Sequence, residues 1–414
     1  MYNNSIKRKE GIWNMKNKKL LKLVAITAIV VTTLGIGSSV YASDVKNTSV
    51  ATSTAVSQNQ SSNRTIKRLG GKDRFDTAIE VSNEFTKSNK ELGLIDWEFA
   101  YPDIANKKVD TIILCNAFDY PDALSAAPLT HMYNAPILLT EKDKLNSKTE
   151  AQIKKLGIKN VVIVGGDGVV SNTVTNRLKS LGIKVERIGG VDRYQTSLLI
   201  AKKVFNHQPT NTLHFVSGHN FTDALSVAPV SAKFMQPMLL VPQGTNKSLS
   251  DVPGLKEFVE YCEKNHSDKN KPGYSLWKYS YGSKNALSDI IEKELKGVDR
   301  IGYTTSAFLN NLQINNRKLF DGDLGSANNV IFTSGKNFPD ALTSTALAGK
   351  TSSMIIYEGT VGENINELSQ KYFDARKYLN DFTAKFRNSV TKVYYIGGES
   401  IVPNGADKKL NGQL

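Results

Sequence analysis

Short apolar runs alternate along this chain with longer stretches whose apolar positions recur at helical spacing. The clearest stretch has TIILC at 111–115, PILLT at 136–140 and VVIVGG at 161–166 as buried strands, with helices predicted over 122–133 and 148–156. Gly157 and Gly182 stand where left-handed caps would end helices, and Ser171 stands where an N-cap would begin one. The strand runs are continuously apolar rather than alternating, which suits burial on both faces. Strand, helix and strand in succession therefore predict an α/β fold, a parallel sheet covered by helices with right-handed crossovers.

The pattern occurs three times. AFDYPDALSAAP at 117–128 returns as GHNFTDALSVAP at 218–229 and as GKNFPDALTSTA at 335–346. Each copy follows an apolar run and precedes another, so Ile137, Leu138 and Leu139 correspond to Met238, Leu239 and Leu240, and to Met354, Ile355 and Ile356. A continuous apolar trio in a parallel strand reads as core. Self-similarity on this scale predicts one structural unit stacked three times. The units are expected at 66–186, at 187–316 with an insertion over 242–285, and at 317–414 with an insertion over 360–390. The first insertion should hold a helix at 251–264 and a polar, tyrosine-bearing loop at 267–283; the second should hold a helical segment around 364–388.

A second phrase opens the units: RLGGKDRFDTA at 68–78 and RIGGVDRYQTS at 187–197. Asp73 with Asp76, and Asp192 with Gln195, have the spacing of a helix N-cap and its N3 partner. Arg74 and Arg193 then allow two roles, a fork for phosphate or carboxylate at a helix N-terminus or a tie between units. In the third unit RKLFDGDLGSA at 317–327 keeps an arginine, an aromatic and two aspartates but loses the register. Asp122, Asp223 and Asp340 lie at the mouth of a helix after a strand. They can complement the helix dipole or face a ligand in the crevice at the strand ends. Catalysis is the poorer reading, because no second acid or base recurs beside all three.

The amino end changes the picture of where the chain works. Lys16, Lys18, Lys19 and Lys22 precede or enter an apolar run from Leu20 to Ile36, and Val40-Tyr41-Ala42 supplies small residues at a cleavage-site spacing. A secretory signal peptide over 1–42 is expected, followed by a Ser/Thr/Asn/Gln-rich leader over 43–65. The alternative is a retained membrane anchor. The net charge is +14, and residues 1–42 hold seven of the 53 Lys and Arg and one Glu, leaving +8 for the remainder. A basic exported chain without a retained span either carries its charge for solubility alone or meets an anionic wall partner or lipid head groups more readily than nucleic acid. Two cysteines do not make a disulfide framework.

Candidate chemistry is sparse. His131, His207, His214, His219 and His266 have no metalloprotease spacing, and no GxSxG elbow occurs. Gly165-Gly166-Asp167-Gly168 departs from the dinucleotide fingerprint, and the turns at Gly302-Tyr303 and Gly397-Gly398-Glu399, read as its equivalents, lose it altogether. The expectation is no cofactor, no metal and no catalytic residue.

In order, DRFDTA, DALSAAP, APILLT and VVIVGG resemble the type 2 cell-wall-binding repeats of Gram-positive surface-layer and cell-wall proteins, over nearly all of residues 66–402. The resemblance implies three open α/β sandwich modules packed with pseudo-threefold symmetry. It implies non-covalent anchoring to an anionic secondary cell-wall polysaccharide, with other surface-layer proteins as further partners. The family's anchoring trio falls on Ile137, Leu138 and Leu139, on Met238, Leu239 and Leu240, and on Met354, Ile355 and Ile356. A wall-modifying enzyme sited in an insertion or a module junction, and a surface adhesin, stand as alternatives.

Overall fold

Each unit's apolar runs become neighbouring parallel strands. The computed structural model describes residues 64–94, 107–271, 274–302, 304–320, 328–358 and 390–407. The first sheet has the order β3 (Ile137–Thr140), β2 (Thr111–Asn116), β4 (Asn160–Val164) and β5 (Lys184–Ile188). The second repeats it with β7 (Met238–Val241), β6 (Thr212–Ser217), β8 (Trp277–Tyr281) and β9 (Asp299–Ile301). The third runs β11 (Met354–Tyr357), β10 (Asn329–Thr333), β12 (Lys392–Ile396) and then β1 (Thr65–Leu69). Register repeats as well: Ile113 lies between Ile137 and Val162, His214 between Met238 and Tyr279, and Ile331 between Ile355 and Tyr394.

Among the described residues the helices, in chain order, are α1 (Arg74–Phe85), the single turn α2 (Asn89–Leu92), α3 (Ala127–Met132), α4 (Ser147–Leu156), α5 (Asn172–Ser180), α6 (Arg193–His207), α7 (Phe221–Phe234), α8 (Leu255–Asn265), α9 (Asp289–Leu295), α10 (Ala307–Phe320) and α11 (Phe338–Lys350). A 3₁₀ turn over Asp122–Ala126 leads into α3, where a single helix over 122–133 was expected. The DALS phrases thus form α3 with its 3₁₀ turn, α7 and α11, and these pack against one another at the centre. Small residues permit the approach: a Cβ on Gly349 would come within 2.5 Å of the Ala232 Cβ.

Each sheet takes its fourth strand from the chain that opens the next unit. β5 edges the first sheet and runs into α6, which packs on β7 of the second; β9 edges the second and runs into α10, which packs on β11 of the third. β1 completes the cycle, lying along β12 from Thr65 opposite Lys392 to Leu69 opposite Ile396 before the chain enters α1 against β3 of the first sheet.

Three sequence equivalences shift as a result. The stretch 242–285, read as an insertion, contains β8, which lies between β6 and β9 as β4 lies between β2 and β5. Its polar residues hid it: Lys278, Ser280 and Tyr281 are buried because Lys278 pairs with Glu263 at 2.5 Å and Ser280 donates to Glu292 at 2.6 Å. The counterpart of Gly165 is therefore Gly282 rather than Gly302; with Gly397 these turns share φ values of 108°, 109° and 110°. Arg300-Ile301-Gly302 is in turn the third copy of the opening phrase. Arg68, Arg187 and Arg300 each donate Nη1 to the turn glycine's carbonyl, Gly397 at 2.9 Å, Gly165 at 2.9 Å and Gly282 at 2.7 Å. The helix expected over 251–264 begins at Leu255, and Ser171 has extended N-cap backbone without a capping hydrogen bond. The segment 364–388 lies outside the described residues.

The closure between β1 and β12 is heavily tied. Arg68 Nη2 also donates to the Val402 carbonyl and to Asn404 Oδ1, both at 2.8 Å, and its guanidinium lies 5.1 Å from the Tyr395 ring centre. At the far end of α11, Lys350 Nζ donates to the Phe85 and Lys87 carbonyls at 2.6 and 2.9 Å, a cation on the C-terminus of α1. Arg68→Ala is expected to lower stability by about 2–4 kcal/mol, since charged hydrogen bonds contribute about 1.5–3 kcal/mol each and the losses overlap. Amide exchange should accelerate in β12 and β10 and hardly change in β4 and β8; the reverse distribution would rule out closure by β1.

Candidate functional site

The carboxyl ends of parallel strands are where such folds usually bind. Here β2, β6 and β10 end in short loops that one polar residue holds in each unit. Asn116 Oδ1 accepts from the Phe118 and Asp119 amides at 2.7 and 3.0 Å, Ser217 Oγ accepts from the His219 amide at 3.2 Å, and Ser334 Oγ accepts from the Lys336 and Asn337 amides at 3.0 and 3.2 Å. Each loop then presents an aromatic residue where it meets its helix: Tyr120, Phe221 and Phe338. The three meet, with the Tyr120 ring centre 4.8 Å from that of Phe338 and 5.6 Å from that of Phe221. The loops of all three units thus surround one axial aromatic cluster. Phe118, Asp119, His219, Lys336 and Asn337 are exposed around it.

Arg74 and Arg193 stand as the first residues of α1 and α6, behind the caps that the opening phrase predicts. Asp73 Oδ1 accepts from the Phe75 and Asp76 amides, both at 2.9 Å, and Asp192 Oδ1 accepts from the Gln195 amide at 2.8 Å. Each arginine is steered to its own unit's axial loop. Arg74 Nη1 donates to the Ala117 carbonyl and its guanidinium lies 4.6 Å from the Phe118 ring centre, while Arg193 Nη1 donates to the Gly218 carbonyl at 2.7 Å. The other N–H groups of both forks have no hydrogen-bond partner among the described residues. The third unit has no such fork, because Ala307 begins α10.

Asp122, Asp223 and Asp340 lie below the loops, at the junctions between units. Each carboxylate abuts its own sheet's turn glycine. A Cβ on Gly165, Gly282 or Gly397 would come within 3.3, 2.7 and 2.7 Å of the respective carboxylate oxygen, in a left-handed conformation that glycine alone adopts freely. The neighbouring unit faces the same group at two of the junctions: the Thr196 side chain favours the ionised form of Asp122, and Asn310 Nδ2 donates to Asp223 at 3.2 Å. Asn220 Nδ2 donates to Asp223 at 2.7 Å. Burial raises the pKa of all three, above the effect of Arg193 near Asp122 and of Arg74 near Asp340; Asp223 and Asp340 are pushed up to about 6.

The apolar trios lie in β3, β7 and β11 with every side chain buried, Ile356 the most exposed at 4%. The structure thus brings Arg74, Arg193 and the three aspartates around the axial loops and places Ile137, Leu138, Leu139, Met238, Leu239, Leu240, Met354, Ile355 and Ile356 in the core. Both cysteines are buried, and burial pushes their thiols up, away from the reactive form. Sequence reasoning missed the axial aromatics, although an aromatic precedes [PT]DAL in all three phrases. It also missed the arginine set Arg68, Arg187 and Arg300, because the third copy was sought too late in the chain.

Comparison with known proteins agrees with this architecture. The family described as cell wall binding domain 2 matches residues 68–175, 187–292 and 294–406. The N-acetylmuramoyl-L-alanine amidase LytC of Bacillus subtilis strain 168 is 28% identical over 315 residues, 76% of this chain and 54% of the relative. The amidase enhancer of the same strain is 30% identical over 344 residues, 80% of this chain and 40% of that protein. The chain thus spans about half the length of the curated relatives it matches. Among solved structures, Cwp8 from Clostridium difficile superposes with a TM-score of 0.63 at 25% identity, over 84% of this chain and 51% of that one. Cwp6 from Clostridium difficile does so with a TM-score of 0.62 at 23% identity, over 86% and 49%. They share the fold of three parallel-stranded α/β modules.

The junction carboxylates carry a pH signature. Asp223 titrates at about 6 in the folded chain against 3.8 unfolded, so between these values the folded state binds more protons and stability rises as pH falls. His131, buried against the Ala232 carbonyl with its pKa pushed down to about 4, works in the opposite direction, so the difference between variants is the informative quantity. Relative to Asp223→Asn, the native chain should gain about 2 kcal/mol as pH is lowered from 6 to 4. Denaturant titrations of both proteins at stepped pH would measure this; parallel curves would show that the carboxyl is already protonated or already compensated.

Proposed function

The chain belongs to the cell wall binding domain 2 family, and from that membership we propose that it anchors non-covalently to an anionic secondary polysaccharide of the wall through the axial end of its three-module ring. The observation that carries this reading is the convergence of the three strand-end loops. They place the open forks of Arg74 and Arg193 and the Lys336 ammonium around one aromatic cluster, with Asp119 as the exposed carboxylate among the loop residues. A guanidinium held by one N–H and open at the others suits a phosphate or carboxylate presented edge-on, and the aromatic faces suit the apolar face of a sugar ring. Many weak contacts from three modules add through multivalency.

In this reading the chain is exported by the segment over 1–42 and works at the cell wall or surface. Among the described residues, no helix is long and apolar enough to cross a membrane. The apolar trios serve anchoring indirectly: they hold each sheet under its loop, so their loss removes the binding surface along with the core. The three aspartates act likewise, fixing the loop of one unit against the helix of the next.

Purified protein should bind wall sacculi, and lose that retention after acid removal of phosphate-linked polymers and as salt rises past the Debye screening range. Equal retention by intact and stripped sacculi would refute the anionic target. Arg193→Ala with Arg74→Ala should weaken retention by about tenfold or more, because each removes a charged hydrogen bond worth about 1.5–3 kcal/mol. Leu239→Ala should cost about 2–5 kcal/mol of stability, with retention recovering wherever the protein remains folded. A thermal melt of each variant separates the two cases.

A further inference from the structure

The second module carries a groove that the first module fills. In the first, α4 follows the strand of the apolar trio and packs on α1 through polar contacts: Gln152 Nε2 donates to Ser82 Oγ and to Asn83 Oδ1, both at 2.9 Å, and Lys155 Nζ donates to Asn83 Oδ1 at 3.2 Å. In the second, α8 holds the same place against α6. Lys202 stands nine residues after the helix-opening Arg193, as Asn83 stands nine after Arg74. Among the described residues no side-chain hydrogen bond joins the helices there, and Phe205 of α6 packs edge-to-face on Phe258 and Tyr261 of α8. Lys202, Asn206, Gly254, Glu257, Phe258 and Tyr261 instead line a cavity of about 340 Å³.

Its lining has two properties. The side chains of Lys202, Asn206 and Glu257 and the Tyr261 hydroxyl make no hydrogen bond or ion pair among the described residues. The Tyr261 ring is 48% exposed, yet is held edge-to-face on the buried Phe205 ring at 6.0 Å, so it presents a fixed aromatic surface. Phe258 is buried at the floor, and Gly254, with φ of 81°, forms part of the wall without a side chain.

We propose that this groove is a subsite for a single pyranose unit of the wall glycan, absent from the first module and separate from the axial cluster. A pyranose offers an apolar C–H face with hydroxyls around its rim. An aromatic ring covers the face, and an ammonium, a carboxamide and a carboxylate together supply both donors and acceptors for the hydroxyls. The volume lies at the small end of the range for ligand pockets, which favours one sugar over a chain segment. With a cation and an anion on the rim, the groove fits a neutral sugar, whereas the axial loops are cationic. The proposal rests on wall binding by this chain but not on the anionic target, and the two fail differently.

The test uses the full chain with methyl glucoside, methyl galactoside and methyl N-acetylglucosaminide as probes at millimolar concentration, read by saturation-transfer and amide-shift NMR. At least one glycoside should shift Asn206 and Tyr261. Tyr261→Ala should weaken that binding by about tenfold and Glu257→Gln by about threefold to tenfold, while Arg74→Ala leaves it unchanged. Tyr261 is half-exposed, so its replacement should leave the melting temperature near the native value. No shift with any of the three glycosides, or shifts that persist in Tyr261→Ala, would overturn the subsite whatever the sacculus assay gives. Glycoside binding together with equal retention on intact and stripped sacculi would keep the subsite and remove the axial anionic reading.

Discussion

The structure depends on each sheet taking its fourth strand from the chain that opens the following unit. Without β1, the buried Tyr394, Tyr395 and Ile396 of β12 would form an open sheet edge, and α1 would enter the first unit with no fixed starting point. The same holds for β5 and β9, so no unit completes itself. Continuity of chain closes two junctions, but the junction between the third unit and the first has only pairing and side-chain bonds. That is where Arg68, Lys350 and the Lys67 and Lys87 pairs on Glu84 are found. Ion pairs on a buried carboxylate, with the Tyr394 hydroxyl donating to it at 3.2 Å, hold more than exposed pairs would.

The junctions show how a repeated part is adjusted when a partner changes. Asp122 and Asp340 each have an arginine of the adjoining unit nearby, Arg193 and Arg74. At the remaining junction Ala307 replaces the arginine, and Asp223 is left 1% exposed with its charge unmatched by an arginine among the described residues. Two asparagine amides, from Asn220 and Asn310, stand in. Amides supply hydrogen bonds but no charge, so burial dominates the titration of this carboxyl. The cost is accepted where the carboxylate joins three elements: the helix it begins, its own sheet's turn and the next unit's helix.

Much of this was legible in the chain. The strand runs, the helix caps at Asp73 and Asp192 and the threefold repetition are local or periodic signals, and local geometry preserves them. β8 was not legible, because WKYSY lacks the apolar continuity of TIILC; its lysine and serine are buried only through Glu263 and Glu292, which lie elsewhere in the sequence. Misplacing β8 then displaced the third opening phrase by some fifteen residues, since the turn at Gly302 was taken for the turn after a third strand. The closure by β1 was hidden for a different reason: nothing in TIKRL says which sheet it will join. The buried state of the trios was readable from their continuity, whereas the axial aromatics needed the three loops to be brought together.

The repeats divide by burial. Positions that build the ring recur: Arg68, Arg187 and Arg300 on the turn carbonyls, the three aspartates, and an aromatic at 120, 221 and 338. The exposed position beside them does not, for Phe118, His219 and Lys336 occupy one loop site in the three units. Packing requires the first set to be alike, because each must fit the same cavity in a neighbouring copy. It places no such demand on the second. A symmetric scaffold thus carries an asymmetric rim, with aromatic, imidazole and ammonium groups in a fixed order around the axis.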